Sequence, residues 1–214
     1  FSENTRDVIG LKVLRDKRTG LIFIDAYDKG EKINPVEEEE DFSSFEFEST
    51  TDTQRRLNDY NQFIIGKNIL DFGCGKGNFL FKAQLFARSV CGVEINKNYL
   101  NFLNSKNILC LEHIEDIDNA SLDTVFGFHC LEHLKNPIEI LGGLRKKIVG
   151  SGYVIFEVPH ANDFLISNLK CSKFIDFTLW SEHLILHTRE SLKTFLLEAG
   201  YSNITIQSKQ RYSL

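Results

Sequence analysis

The stretch Leu70-Asp71-Phe72-Gly73-Cys74-Gly75-Lys76-Gly77 decides how this chain folds. Before it stands the apolar pair Ile69-Leu70, which reads as a strand; after it Phe79, Leu80, Ala83 and Ala87 recur at helical spacing. The glycines therefore occupy a strand-to-helix turn. Gly73 and Gly75 permit backbone angles and a close approach that a Cβ would block, so a ligand can lie directly on the main chain. Glu94 ends the next apolar run, Val90-Cys91-Gly92-Val93, where a carboxylate can accept both hydroxyls of a ribose.

Outward from this turn, strand and helix patterns alternate. The helix from Gly77 to Arg88 leads to the strand at 90–93. A helix near Lys97–Ser105, a short strand at Ile108–Leu111 and apolar strands at Leu122–Phe128 and Tyr153–Val158 follow, the last two separated by a Pro137–Val149 helix. Thr188 can cap a helix that runs through Ala199 to the stop at Gly200, and Ile204-Thr205-Ile206 reads as a final strand. Near-continuous apolar strands alternating with helices predict an α/β, mostly parallel sheet covered on both faces.

Upstream, Leu11, Val13 and Leu21 to Ile24 flank the turn Lys17-Arg18-Thr19-Gly20 as a hairpin. The run Glu37 to Asp41 reads as a solvated acidic connection, and Asp52 as the N-cap of a helix carrying Leu57, Tyr60 and Ile64. The expected organisation is an extension over 1–50 ahead of a domain over 51–214.

At 214 residues, 42% of them hydrophobic, the chain can bury a full core without disulfides or a structural metal. No apolar run reaches the roughly 18–20 residues of a membrane span, and no signal peptide is visible, so a soluble cytoplasmic protein is expected. The five cysteines are scattered without a C-x-x-C pair, which argues against a zinc ribbon or a disulfide framework. A net charge of -5 disfavours the basic stripe of a nucleic-acid binder. The chain contains no methionine and starts at Phe1.

A nicotinamide dinucleotide site would place a third glycine at position 78, where Asn78 stands. Asp71, two residues before the first glycine, would repel a pyrophosphate but attract the ammonium and sulfonium of S-adenosylmethionine. The alternative is a glycine-rich turn beside a solvated acid, without a ligand.

With these residues in place, the segment from Asn68 to Glu157 resembles class I S-adenosylmethionine-dependent methyltransferases. "LDFGCGKG" matches the donor loop, "GVEIN" the ribose acid, and "FHCLEHLKNP" and "GYVIFEVP" the fourth and fifth strands with their loops. The resemblance implies a Rossmann-like, doubly wound, seven-stranded sheet whose last strand is short or missing. It also implies that Asp71, Gly73, Cys74 and Gly75 form the loop on the methionine part of the donor, that Glu94 holds the ribose, and that the backbone near Ile95 meets the adenine edge. Relatives often carry an aspartate for the adenine amino group after the third strand; His113 occupies that place, with Ile114 beside it as an apolar ring contact. His129, in the loop after the fourth strand, is the donor-side contact there, while Glu132 and His133 either brace the next helix or act in catalysis.

Acceptors in such folds bind outside the carboxyl ends of the strands. The stretches 157–163 and Trp180-Ser181-Glu182-His183 fall there, and the second resembles the Glu-His pair of sugar C-methyltransferases. His183 is the expected general base, with a pKa near neutrality, and His160 the reserve; a packing role is the alternative for His183. The match to sugar C-methyltransferases is local, confined to the residues around Trp180–His183. The expected activity is methyl transfer to a small molecule, with a protein or nucleic-acid methyltransferase, or a donor-binding module without catalysis, as alternatives. No resident metal, nucleic acid or membrane partner is expected.

Overall fold

The computed structural model of the chain describes residues 1–25 and 50–209. The acidic run at 37–41 and Tyr212 lie outside the described residues. In chain order the strands are β1 (Val13–Arg15), β2 (Ile22–Ile24), β3 (Asn68–Phe72), β4 (Ser89–Val93), β5 (Cys110–Leu111), β6 (Leu122–Phe128), β7 (Ile148–Glu157) and β8 (Ile185–Leu186). The helices are α1 (Thr51–Asp59), α2 (Asn78–Ala83), α3 (Lys97–Ser105), α4 (Pro137–Lys147), α5 (Phe164–Ser167), α6 (Ser172–Thr178) and α7 (Arg189–Glu198). They fall into two compact units that interleave along the sequence. None of the described helices is long and apolar enough to cross a membrane.

The unit spanning 50–128 and 140–156 holds a five-stranded sheet in the order β5-β4-β3-β6-β7. Strand β3 runs parallel to both β4 and β6, and β4 parallel to β5. Four consecutive β3 residues, Ile69 to Phe72, are buried, as a central strand covered on both faces requires. Ile69 packs with Ile64, Phe79, Ala83 and Phe126 in one cluster, while Leu80, Phe102, Leu103, Ile108 and Cys110 form another. Helix α3 opens on Asn96, whose side chain accepts from the N–H groups of Asn98 and Tyr99, satisfying donors that have no partner inside the helix.

Three expectations shift. Helix α1 is capped by Thr50, which accepts from Thr53 N–H, because Asp52 instead sits 3.3 Å from Arg55 in an ion pair. Helix α2 stops at Ala83 rather than Arg88: the chain turns so that the Phe86 carbonyl accepts from Gly66 N–H and the Lys67 carbonyl from Arg88 N–H. Among the described residues the sheet has five strands rather than the seven expected. Ile204 and Ile206 are half-buried in alternation, but no neighbouring strand among the described residues supplies a ladder for them.

The other unit, over 1–25, 129–139 and 157–206, is built on a three-stranded antiparallel sheet, β1-β2-β8. The amino-terminal hairpin is therefore joined to a strand more than 160 residues downstream by the pairs Ile22 with Leu186 and Phe23 with Ile185. Its turn is set by Asp16, whose Oδ1 accepts from the N–H groups of Arg18 and Thr19 and from the Thr19 hydroxyl. Val13, Ile22, Ile24, Ala161, Leu179, Leu184, Ile185 and Leu186 form the core of this unit. Thr188 caps α7 in a reciprocal arrangement with Ser191.

Candidate functional site

The glycine turn opens on a cavity of about 790 Å3 in the central-sheet unit. Its lining includes Asp71, Gly73, Cys74, Gly77, Asn78 and Phe79 from the turn, Thr50, Thr53 and Arg56 from the start of α1, and Phe128 from the end of β6. Gly73, Gly75 and Gly77 all have positive φ, near 71°, 52° and 77°. At Gly77 a Cβ would also run into the Leu103 side chain, so the turn requires glycine there on two counts. The Cys74 thiol points away from the loop's open side, 3.8 Å from Cys110 Sγ and close under Gly92, so Cys74 offers its backbone.

Asp71 is 3% exposed, and its Oδ1 has no hydrogen-bond partner among the described residues. Desolvation pushes its carboxyl up to about 7; Arg56 opposes this and Glu94 adds to it. A buried oxygen left without a donor is costly, and a cationic group arriving in the cavity would answer it. Asn78, at the first position of α2, likewise has a buried and unpartnered side-chain oxygen.

Glu94 is held at the tip of β4 by two backbone donors: Gly75 N–H to Oε2 and Asn96 N–H to Oε1, both at 2.8 Å. The carboxylate thus fixes the glycine turn and keeps further lone pairs for incoming hydroxyls. Ile95 follows at 78% exposure, and the His113 side chain is 62% exposed, 3.9 Å from Glu112. Ile114, expected as an apolar ring contact, lies largely inside the fold. It is 5% exposed, with Cδ1 packed where a Cβ on Gly143 would stand, because the turn at 114–116 tucks it into the core.

The remaining candidates lie in the hairpin-containing unit. His129 adopts a positive φ of 56°, donates its backbone N–H to the Glu157 carbonyl, and places Nδ1 3.4 Å from Glu132 Oε1. Both Glu132 oxygens are buried without a hydrogen-bond partner among the described residues, the one facing His129 included. His183 Nδ1 lies 2.7 Å from the Thr178 carbonyl, and its ring meets those of His133 and Trp180 edge to face. Burial pushes His183 down to about 4, against the attraction of Glu132. The expectation of a base poised near neutrality is therefore not met, for desolvation outweighs the neighbouring carboxylate. His160 is half-buried in a bridge to His187, and burial lowers its pKa too.

Sequence reasoning missed Arg56, Thr50 and Thr53, for a charged residue on an amphipathic helix reads as a solvated one. It left Glu132 undecided, since complete burial of a carboxylate has no local signature.

Residues 50–206 match the methyltransferase domain family. The tRNA U34 carboxymethyltransferase of Colwellia psychrerythraea is 23% identical over 71% of this chain and 49% of its own length. That of Ectopseudomonas mendocina is 31% identical over 44% and 33%. The chain spans about half, or less, of the length of these curated relatives. Among solved structures, a SAM-dependent methyltransferase from Archaeoglobus fulgidus is 25% identical with a TM-score of 0.57, covering 70% of this chain and 68% of that one. A possible histamine N-methyltransferase from Thermotoga maritima, 16% identical with a TM-score of 0.56 over 71% and 72%, shares the fold. With the glycine turn, the strand-end acid and a family match across most of its length, the chain belongs to the methyltransferase domain family.

Proposed function

We propose that the chain methylates a small-molecule acceptor, with a sugar or sugar nucleotide as the first class to try. The observation that carries the donor half of this reading is Asp71, a buried carboxylate with an unpartnered oxygen on the cavity under the glycine turn. When bound, S-adenosylmethionine supplies a sulfonium methyl open to displacement by a nucleophile. Asp71 would hold the donor's ammonium, and Glu94, already fixed by two backbone donors, would accept from the ribose hydroxyls. Phe79 and Phe128 give the cavity apolar wall, which strengthens these charge-assisted contacts by excluding water. Such a site works chiefly by holding nucleophile and methyl in line.

The acidic balance of the chain, -5 overall, supports a small acceptor over a polyanion. At about 4 His183 is a weak base for a hydroxyl, which leaves half-buried His160 as the histidine candidate for proton removal. A polynucleotide acceptor is the second reading, favoured by the names of the tRNA U34 carboxymethyltransferase relatives. Calorimetry with S-adenosylmethionine, followed by transfer of a labelled methyl to sugar nucleotides, phenols, amines and tRNA in parallel, tests both halves. Failure of the donor to bind overturns the reading; label entering tRNA alone replaces its acceptor.

A further inference from the structure

We infer that Glu132, His133 and His183 form a binding site for a divalent transition-metal cation of the zinc class. One ligand atom from each residue lies within 4.8 Å of the others, and all three belong to the hairpin-containing unit. Two imidazoles and a carboxylate are the donors that first-row dications prefer, whereas magnesium and calcium favour oxygen alone. Three protein ligands leave positions open, as in a reactive rather than a purely structural zinc site.

The second observation is Glu132 itself. It is 1% exposed, and neither carboxylate oxygen has a hydrogen-bond partner among the described residues. An ionised carboxylate in that position needs a counter-charge, and a dication between it and the two rings supplies one. His129 and His187 are the other titratable groups facing this carboxylate.

The third is the orientation of His183. A carbonyl only accepts, so the 2.7 Å contact with Thr178 places the ring proton on Nδ1 and leaves Nε2 as a free lone pair. A backbone carbonyl taking the far N–H of a ligating histidine is the usual outer-shell support of a metal site. The tight turn Leu131–His133 sets Glu132 and His133 side by side, and the Trp180 carbonyl takes His183 N–H to fix the loop opposite. A cation held there with open positions would lower the pKa of a hydroxyl or water that coordinates it.

Trp180, the one tryptophan of the chain, reports on the site, its ring centroid 5.5 Å from that of His183 and 6.0 Å from that of His133. The full chain, stripped with a chelator, is titrated with Co2+ and with Zn2+ while tryptophan emission and the visible d–d absorption of cobalt are followed. The expected result is saturable one-to-one binding that quenches Trp180, with Zn2+ displacing cobalt and Mg2+ failing to. Glu132→Gln and His183→Ala should each weaken cobalt binding by about 100-fold or more, since loss even of outer-shell partners costs 10–100-fold. The exposed His113→Ala should bind as the parent does. No saturable response in the parent protein overturns the inference, whatever the variants do. So does unchanged affinity in either variant once circular dichroism shows it folded, which would leave the cluster as a buried charge brace.

Discussion

Asp71 is held near 7 in the folded chain and close to 3.8 when unfolded, so folding favours its protonated form. The stability this contributes is complete below the unfolded value and is lost as pH rises through about 7. The donor-free protein should therefore lose part of its thermal stability between pH 4 and 7.5, and saturating donor should restore it at the upper end. An ammonium beside the carboxylate stabilises the ionised form, so binding below pH 7 must release a proton. Donor affinity should fall by up to about tenfold per pH unit on that side. Calorimetry in buffers of different ionisation enthalpy reads the proton directly. Asp71→Asn should abolish the release and weaken binding at pH 8 by about 1.5–3 kcal/mol; a variant with the parent's pH profile would remove Asp71 from the donor site. Glu94→Ala should cost a similar amount of donor affinity. It also strands Gly75 and Asn96 N–H, so denaturant melts should show about 1–2 kcal/mol of lost stability without donor. Loss of affinity with unchanged stability would mean that Glu94 contacts the donor but does not brace the turn.

Gly75 and Gly77 belong to one turn yet carry different loads. Both have positive φ, which costs a side-chain-bearing residue roughly 1–2 kcal/mol. A Cβ on Gly75 would meet nothing within 4 Å, whereas one on Gly77 would displace Leu103 from its cluster. Gly75→Ala should thus lower stability by about 1 kcal/mol, and Gly77→Ala by several, in urea melts; equal losses would show that backbone strain alone sets both. Such a turn is legible in sequence, because glycines between a strand pattern and a helix pattern signal backbone geometry by their identity. For the same reason β3, β4, α3 and the Thr188 cap of α7 sit where apolar period and capping residues put them. What depends on distant partners was not legible. The pairing of β2 with β8 links positions more than 160 apart, and the early end of α2 follows from carbonyls that meet Gly66 and Arg88. Ile114 shows the limit within the candidate site: its alternation with polar neighbours suits a ligand contact and a core position equally, and its burial comes from packing at Gly143, distant in sequence.

Across the whole molecule, 25 lysines and arginines stand against 30 aspartates and glutamates. Each phosphate neutralised by a protein cation releases condensed counterions, and this term supplies most of the affinity for a polynucleotide. A chain whose net field is repulsive can gain it only through a local basic surface, and its binding must then fall steeply with salt. A small acceptor carrying one or two phosphates asks far less, because a single arginine fork or a few backbone donors suffice. Measured in parallel at about 0.15 M salt, tRNA should accordingly compete poorly with sugar nucleotides for the labelled methyl group. What methylation tRNA does undergo should drop several-fold when the salt is doubled, while transfer to the small acceptor stays nearly level. The relatives named for tRNA U34 carboxymethylation make the opposite outcome worth measuring. Efficient, position-specific labelling of tRNA that persists at raised salt would locate the acceptor's recognition in shape and base contacts rather than net charge, and the small-molecule reading would give way to it.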